Sequence, residues 1–474
     1  MLRRRIVAAV AGAEFRRWWR ERTLPGVIAV ALLLVATSLY VTIERNARMQ
    51  EQQQRNARAA EADWQAQPDR HPHRVVHFGD YVFKPPSALA AIDWGVESHT
   101  GRSLFLEGHR QNTANFSEAS QSGALLRFGQ LTPANVALNL LPLLLIFLGF
   151  ATVAGERETG TLRLLLTQGA SGREVVAGKW LAMLGVAAVA LLPLFAATAW
   201  TALVDPALRW RAVAMFLTHA AYLALWSGVV VLVSAWTRKS YAALVGLLAL
   251  WVVWCVLLPR ALPSLSALAH PIPTRVESEL RAEQALKKIG DSHDPDDPHF
   301  SEFRARTLRR YGVDKVEDLP VNYGGLLMIE GERLTSEVHA RETAIAHGLM
   351  EAQNRASAQG AWMSPAIAAA TVSRAFAATD FAHHRHFVDH AERRRYDTVQ
   401  ALNRLHAEKI RYRNDRDQRL HADHWDAIPR EPYRFPGIAF AAERSLLPAL
   451  ALLCWIALVG ALLVWRGRRL EREA

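Results

Sequence analysis

The chain has 474 residues, of which 51% are hydrophobic and 21% are charged, and its mean hydropathy is +0.01. A value near zero in so long a chain averages very apolar regions with very polar ones, which is typical of a membrane protein with large polar segments. The net charge of +11 is compatible with nucleic acid or with an anionic membrane surface, so the positions of the arginines decide between them. Both cysteines, Cys255 and Cys454, lie in apolar runs, which argues against a disulfide framework or a cysteine-based zinc site.

The first 23 residues are rich in arginine and precede an apolar run. Written as a helix, they place Ile6, Val10, Ala13 and Trp18 on a face towards lipid, with the arginines towards phosphate headgroups. We therefore expect residues 1–23 to form an amphipathic interfacial helix on the cytoplasmic leaflet. The alternative is a charged tail that only sets the orientation of the chain.

Six apolar stretches approach the length of about 20 residues that is needed to cross the hydrocarbon core. The predicted spans are 24–43, 135–154, 180–202, 212–236, 241–262 and 443–465. Lys and Arg are enriched on cytoplasmic flanks, and they cluster before the first span, at Arg238 and Lys239, and after the last span. The expected fold is a mainly α membrane protein with six transmembrane helices and both termini cytoplasmic, in a bacterial inner membrane. Orientation thus explains much of the basic excess, and no nucleic-acid partner is expected.

This topology places segments 44–134 and 263–442 outside the membrane on the periplasmic side, and 155–179 and 466–474 in the cytoplasm. The first outer segment opens with a polar run that continues the first span as a solvated helix, and then changes to short β-prone pieces broken by Gly and Pro. The second outer segment predicts charged helices at about 274–290, 299–312, 330–358 and 379–421. We expect a largely helical extracytoplasmic domain with some short β elements.

His383, His386 and His390 share one face of a predicted helix, a spacing that is compatible with a metal site. Histidines in an arginine-rich helix are more often solvated or hydrogen-bonded to neighbouring acids, and this second interpretation is favoured. The histidines of HPHRVVH (71–77) are also close together in sequence, but they lie in a predicted loop interrupted by proline, without a matching carboxylate. No bound metal is therefore expected at either place.

Three residues inside the predicted spans are candidates for a pathway through the membrane. Pro142 and Pro193 interrupt the second and third spans, where a kink either lines a pathway or serves packing. His219 lies in the fourth span, and a polar side chain at bilayer depth faces a cavity or a partner helix. The interpretations left open for His219 are a substrate path and an interhelical hydrogen bond.

The Gly178-Lys179 pair superficially resembles the end of a nucleotide-binding loop. Five residues instead of four separate Gly172 from Gly178, and Trp180 stands where the loop requires Ser or Thr. We therefore expect Lys179 to anchor the start of the third span at the lipid headgroups. The chain also lacks the sequence motifs of serine hydrolases and zinc proteases, so it is not expected to be an enzyme by itself.

Residues 155–180 read GERETGTLRLLLTQGASGREVVAGKW. This stretch closely resembles the E-R-E-x-G-T-L … L-L-x-x-P-x-S-R-x-x-x-x-x-G-K segment of type-2 ABC exporter permeases. In that family the acidic turn leads into a short cytoplasmic coupling helix, which docks on a separate ATP-binding subunit. The resemblance implies that the residues coupled to the ATPase are Glu156, Arg157, Glu158, Gly160, Thr161, Leu162, Arg163 and Leu165.

A short amphipathic helix from Thr159 to Leu166 would seat its leucines in a groove on the partner, while the acids pair with charges at the membrane surface. The resemblance further implies a homodimer or a heterodimer with a second permease. It also implies that ATP and Mg2+ bind to the partner subunit and that this chain holds no cofactor. A narrower resemblance, carried by FGDYVFKPPSALAAIDWGVESHTGRSLFLEGHRQN and ATDFAHHRHFVDHAERRRY, is to an uncharacterised subgroup related to the permease of the copper-enzyme-maturation ABC transporter.

The leading hypothesis is a permease that couples ATP hydrolysis to export, or to mechanical work on a periplasmic protein. The alternative is a membrane-anchored sensor or scaffold without an ATPase partner.

Overall fold

The protein is described here from a computed structural model that covers residues 2–109, 111–112, 131–290 and 297–473. Most of these residues are helical, and five helices are long and apolar enough to cross a membrane, or six if one bent pair forms a single span. In chain order, the first to sixth span helices are Thr23–Gln65, Pro133–Glu158, the bent pair Gly172–Ala190 and Leu192–Val204, Arg209–Trp236, Ser240–Ala269 and Ile438–Glu473. The prediction of a mainly α membrane protein is confirmed, while the side on which the termini lie stays a prediction.

The first span helix extends well beyond the bilayer. It runs without a break for 43 residues, or about 65 Å at the rise of an α-helix. Its second half, ERNARMQEQQQRNARAAEADWQ, is rich in residues of good helix propensity and is mostly exposed. The helix therefore carries the chain from the membrane to the polar part of the molecule.

The second span helix is interrupted twice. Residues Val136–Leu140 are π-helical, and the α-helix Leu141–Gly149 follows with Pro142 in its first turn. A turn then separates it from the short helix Ala154–Glu158. The hydroxyl oxygen of Ser234, on the fourth span helix, accepts hydrogen bonds from the backbone N–H groups of Val153 and Ala154 at 3.0 and 3.1 Å. This serine oxygen is a buried acceptor for two N–H groups at the interruption of the helix.

The third span is bent by 55° at Leu191. Pro193 lies in the first turn of the second half, where its missing N–H removes no helical hydrogen bond. The first half begins at Gly172, eight residues before the predicted start of the span. Ser171 caps it by accepting from the Glu174 N–H, and the Glu174 carboxylate accepts from the Ser171 N–H in return.

A short helix within the second predicted outer segment packs inside the membrane bundle. Helix Pro365–Ala377 contacts the fourth and sixth span helices. The Ser364 hydroxyl donates to the Trp254 carbonyl of the fifth span helix at 2.7 Å, and Ala368 and Ala369 are fully buried. Part of segment 263–442 therefore packs on the span helices, while its predicted position outside the membrane stays a prediction. Alanines let this helix approach its neighbours closely enough to fit between them.

The remaining elements form what we call the polar domain. Its two-stranded antiparallel sheet pairs Asp80–Phe83 with Ser103–Leu106, so the predicted short β elements are present. Its helices are Pro72–Phe78, Arg275–Ile289, Pro298–Tyr311, Tyr323–Gln359 and Phe381–Lys409. The last helix ends at Lys409, so the prediction of a helix as far as residue 421 is wrong. One face of the sheet packs on Phe387 and Tyr433 to form a small apolar core.

Candidate functional site

The stretch between the second and third span helices forms two short helices separated by one glycine. Helix Ala154–Glu158 ends the second span, and helix Thr161–Thr167 follows it. Gly160, between them, has φ of 79°, a left-handed conformation that residues with a side chain adopt only with strain. The glycine of the sequence motif therefore turns the chain sharply from the span into the second helix, which we call the surface helix.

The leucines of the surface helix do not all face the same way. Leu162 is only 4% exposed and packs into the main apolar core of the chain, whereas Leu164 is 60% exposed. Leu165 and Leu166 are half-buried, and Thr161 and Arg163 are exposed. The expectation that Leu162 seats in a groove on a partner is therefore wrong for the chain as folded. Leu164 belongs to the predicted amphipathic helix but was not among the residues assigned to coupling, although helical periodicity places residues two apart on different faces.

Beneath the surface helix lies a buried cluster of charges. Lys179 is 2% exposed, and its ammonium group bridges the carboxylates of Glu14 and Glu156, with Nζ 2.5 Å from Glu14 Oε2. Arg17 also pairs with Glu14, and Thr152 donates its hydroxyl to the same carboxylate at 2.6 Å. The prediction that Lys179 anchors the third span at the headgroups is therefore wrong. Glu156 pairs with Lys179 inside the protein and not with charges at the membrane surface. The cluster joins the N-terminal helix to the second and third span helices.

Gly178 permits the close helix crossing that brings this cluster together. A Cβ atom at this position would lie 2.6 Å from Cβ of Val10 and 2.8 Å from the Val7 carbonyl oxygen. The N-terminal helix Arg4–Arg20 therefore packs on the third span helix, and Val10 and Trp18 are buried against protein. The prediction that these two residues face lipid is wrong, and of the four predicted apolar contacts Ala13 is the exposed one. The Gly-Lys pair serves helix packing and charge pairing.

Arg157 and Glu158 attach the segment to the connection between the fourth and fifth span helices. The Arg157 guanidinium donates to the carbonyl oxygens of Thr237 and Ala235, the second at 3.1 Å. The Ser240 hydroxyl donates to Glu158 at 2.5 Å. Because the last carbonyls of a helix lack intrahelical partners, Arg157 caps the fourth span helix. The two charged residues of the motif therefore act within the chain.

The predicted cytoplasmic parts gather at one end of the bundle. Arg3 forms a bidentate ion pair with Glu174, at 2.9 Å from Nε and 2.7 Å from Nη2. The Gly172 N–H donates to the Glu471 carboxylate of the sixth span helix at 2.9 Å. The N-terminal residues, the segment after the second span, the 237–240 turn and the end of the sixth span helix thus lie together, as the predicted topology requires.

His219 is fully buried in the bundle. Its Nδ1 lies 2.8 Å from the Met215 carbonyl oxygen of its own helix, and Nε2 has no hydrogen-bond partner among the described residues. Of the two interpretations left open for His219, the interhelical hydrogen bond is not formed in the described part of the chain, and the substrate path stays a prediction.

His383, His386 and His390 do not converge on a common point. His383 is buried with Nδ1 2.5 Å from Asp380, His386 lies 3.2 Å from the Tyr433 hydroxyl, and His390 lies 3.3 Å from a backbone carbonyl. Each imidazole has a separate partner, so the spacing along the helix does not produce a metal site here. The histidines that do converge come from elsewhere: one nitrogen from each of His73, His77 and His109 lies within 4.8 Å of the others.

Comparison with known families gives two matches. Residues 277–435 match a domain of unknown function, DUF3526. A search of curated proteins found no match. Residues 8–298 match the ABC-2 family transporter protein, and this region includes most of the N-terminal helix, the surface helix, the buried charge cluster and the first five span helices. Because that match covers more than half of the chain, the protein belongs to the ABC-2 family of transporter proteins.

Proposed function

We propose that this chain is the membrane-spanning permease subunit of an ABC transporter, coupled to ATP hydrolysis by a separate ATP-binding subunit. The observation that carries this proposal is the surface helix Thr161–Thr167. It presents Leu164 outward while its base is joined to the rest of the bundle. An exposed leucine on a short helix is suited to an apolar groove on a partner.

The base of the surface helix has the connections that force transmission needs. Glu156 and Lys179 connect it to the third span helix and the N-terminal helix, and Arg157 and Glu158 connect it to the fourth and fifth span helices. Coupling between sites requires contiguous packed elements that move together. A push on the surface helix would therefore be passed to several spans at once, through charge-assisted hydrogen bonds.

The finer parts of the proposal follow from the arginine distribution and the family. We place the end with the surface helix in the cytoplasm and the polar domain in the periplasm of a bacterium with an inner membrane. Two permease chains, identical or related, would stand over two ATP-binding subunits, which hold ATP and Mg2+. The chain itself is a non-catalytic component and works either by exporting a cargo or by moving a periplasmic partner. The DUF3526 match covers the second of the two stretches that resemble the uncharacterised subgroup, which favours membership of that subgroup.

The test is ATP hydrolysis by the purified complex. The chain is isolated from membranes of its native host, any bound ABC ATP-binding subunit is identified by mass spectrometry, and MgATP turnover is measured. Leu164→Asp is expected to reduce retention of that subunit at least about 10-fold, since a charge would be buried in an apolar contact. Leu280→Asp is the matched control, because Leu280 is 50% exposed on a helix of the polar domain.

Two results would contradict the proposal. One is a chain that is isolated intact without any ATP-binding subunit, which would favour the membrane-anchored sensor or scaffold. The other is a Leu164→Asp complex with unchanged composition and turnover.

A further inference from the structure

Three histidines from two separated stretches meet at the surface of the polar domain. His73 and His77 lie four residues apart on helix Pro72–Phe78, which places both rings on one face. Their Nε2 atoms lie 3.2 Å apart and share a hydrogen bond, and His109 comes from the turn directly after the second strand. The predicted proline-interrupted loop is therefore a helix, and the third histidine lies 32 positions beyond the HPHRVVH stretch.

The 3.2 Å separation suits a bound metal ion. Two imidazole nitrogens that each lie about 2.0–2.1 Å from a tetrahedral Zn2+ are separated by about 3.3 Å. His73 and His77 therefore need little movement to bind the same ion. The His109 ring centroid lies 5.9 Å from that of His73 and 5.5 Å from that of His77, so its nitrogen is within reach of a third position.

The carboxylate that the sequence lacked nearby is supplied by Glu332, on the long helix Tyr323–Gln359. Its Oε2 lies 3.2 Å from His109 Nδ1 and also accepts from the His109 backbone N–H. An imidazole that donates from Nδ1 to a carboxylate keeps a lone pair on Nε2, the arrangement found behind most metal-binding histidines. Glu332 is fully buried and is held in turn by Arg395, with Nη1 2.7 Å from its Oε1.

The backbone is shaped to hold His109 in this place. Gly108 packs so closely on helix Pro72–Phe78 that a Cβ atom would lie 2.2 Å from Cγ1 of Val76. His109 itself has φ of 64°, in the left-handed region. A strained residue that its surroundings hold in place is a feature of functional sites.

The cluster is reachable from solvent through one of its rings. His77 is exposed, which gives an ion a path from solvent.

We propose that His73, His77 and His109 bind one divalent transition-metal ion, with Zn2+ as the ion that the donor set fits best. Three imidazoles leave a fourth tetrahedral position for water or for a ligand on another molecule. The site would fix helix Pro72–Phe78 to the turn after the second strand and, through Glu332, to the long helix. The proposal is independent of the coupling to ATP hydrolysis.

A neighbouring group, made by His71, His406 and Asp415, is a weaker candidate. Asp415 already accepts from His406 Nε2 at 2.7 Å and from the Asn322 amide at 2.5 Å, and His71 and His406 are buried. These contacts use the carboxylate and one imidazole as an internal hydrogen-bond network. We therefore assign the ion to the cluster of His73, His77 and His109.

The experiment uses the full chain in detergent, stripped with a chelator and titrated with Zn2+ against a chromophoric competitor. One ion per chain is expected, with the affinity reduced at least about 100-fold in His73→Gln/His77→Gln, because two of three ligands are lost. His386→Gln/His390→Gln is the control, with an equal number of histidines removed from the same domain. Its affinity should stay within about 3-fold of the unmodified chain.

His109→Asn tests the site from a different element and guards against a helix that fails to form. With Co2+ as the probe, the unmodified chain should show the strong visible absorption of a four-coordinate ion, and His109→Asn should lose it. Size-exclusion profiles without metal should be the same for all variants. Absence of a stoichiometric ion, or equal affinity in the His73→Gln/His77→Gln variant, would overturn the proposal.

Discussion

Lys179 donates a hydrogen bond to Glu14 across 165 positions of sequence, with Nζ 2.5 Å from Oε2 and both side chains almost completely buried. The same ammonium group pairs with Glu156 at the base of the surface helix. A buried ion pair contributes little net stability compared with a well-packed apolar pair, but removal of one partner leaves an uncompensated charge. The cluster is therefore a place where single and paired substitutions should differ strongly.

Lys179→Met is expected to destabilise the chain by about 3–5 kcal/mol, because Glu14 and Glu156 would remain buried without the cation between them. The double variant Lys179→Met/Glu156→Gln should recover part of the loss. Thermal unfolding in detergent measures the loss of stability in the single variant and its recovery in the double variant. The control is Lys239→Met, at an exposed position in the turn before the fifth span helix, with an expected change within about 0.5 kcal/mol. Equal Tm values for Lys179→Met and Lys239→Met would show that the cluster does not hold the helices together.

Ser234→Ala should destabilise the bundle, since the backbone N–H groups of Val153 and Ala154 would lose a buried acceptor. An unsatisfied buried donor costs about 1–3 kcal/mol. Ser227→Ala is a close control: Ser227 is also fully buried on the fourth span helix, but its hydroxyl donates only within that helix, to the Leu223 carbonyl. A Tm that falls more for Ser234→Ala than for Ser227→Ala confirms the bond between helices, and equal Tm values contradict it.

Acidification should weaken the polar domain before its carboxylates are protonated. Burial, with the nearby positive charge of Lys84, lowers the pKa of His384 to about 4. The unfolded chain binds this proton below about pH 6.5 and the folded chain only near pH 4, so stability falls as the pH falls through that window. Tm of the chelator-treated chain should therefore drop between about pH 7 and about pH 5. The drop in Tm should be smaller in His384→Gln than in the matched control His424→Gln, since His424 is exposed. Equal drops in the two variants would refute this explanation.

The spans were predictable from hydropathy, and the surface helix was predictable from a local sequence motif. A run of about 20 apolar residues has few structural alternatives in a chain of this kind. Helix Pro365–Ala377 escaped prediction because 13 alanine-rich residues between charged helices are too short to span a membrane. Its burial depends on the fourth and sixth span helices, which are distant in sequence.

The sites were harder to predict because their parts are brought together only by folding. Lys179 looked like a headgroup anchor, since nothing near it in sequence marks Glu14 as its partner. His73 and His77 looked isolated for the same reason, because both His109 and Glu332 are remote in the chain. Of the two histidine groups, His383, His386 and His390 had the spacing more compatible with a metal, but in the folded chain their rings contact separate partners.

A photo-crosslink from position 164 tests the central claim most directly. A photoreactive amino acid replaces Leu164 in one variant and Leu280 in a second, both at exposed leucines, and each chain is irradiated in membranes of the native host. If the surface helix docks on an ATPase, position 164 should crosslink to an ABC ATP-binding subunit identified by mass spectrometry, and position 280 should not. An intact, membrane-inserted chain that gives no such crosslink at position 164, with or without MgATP, would contradict the account.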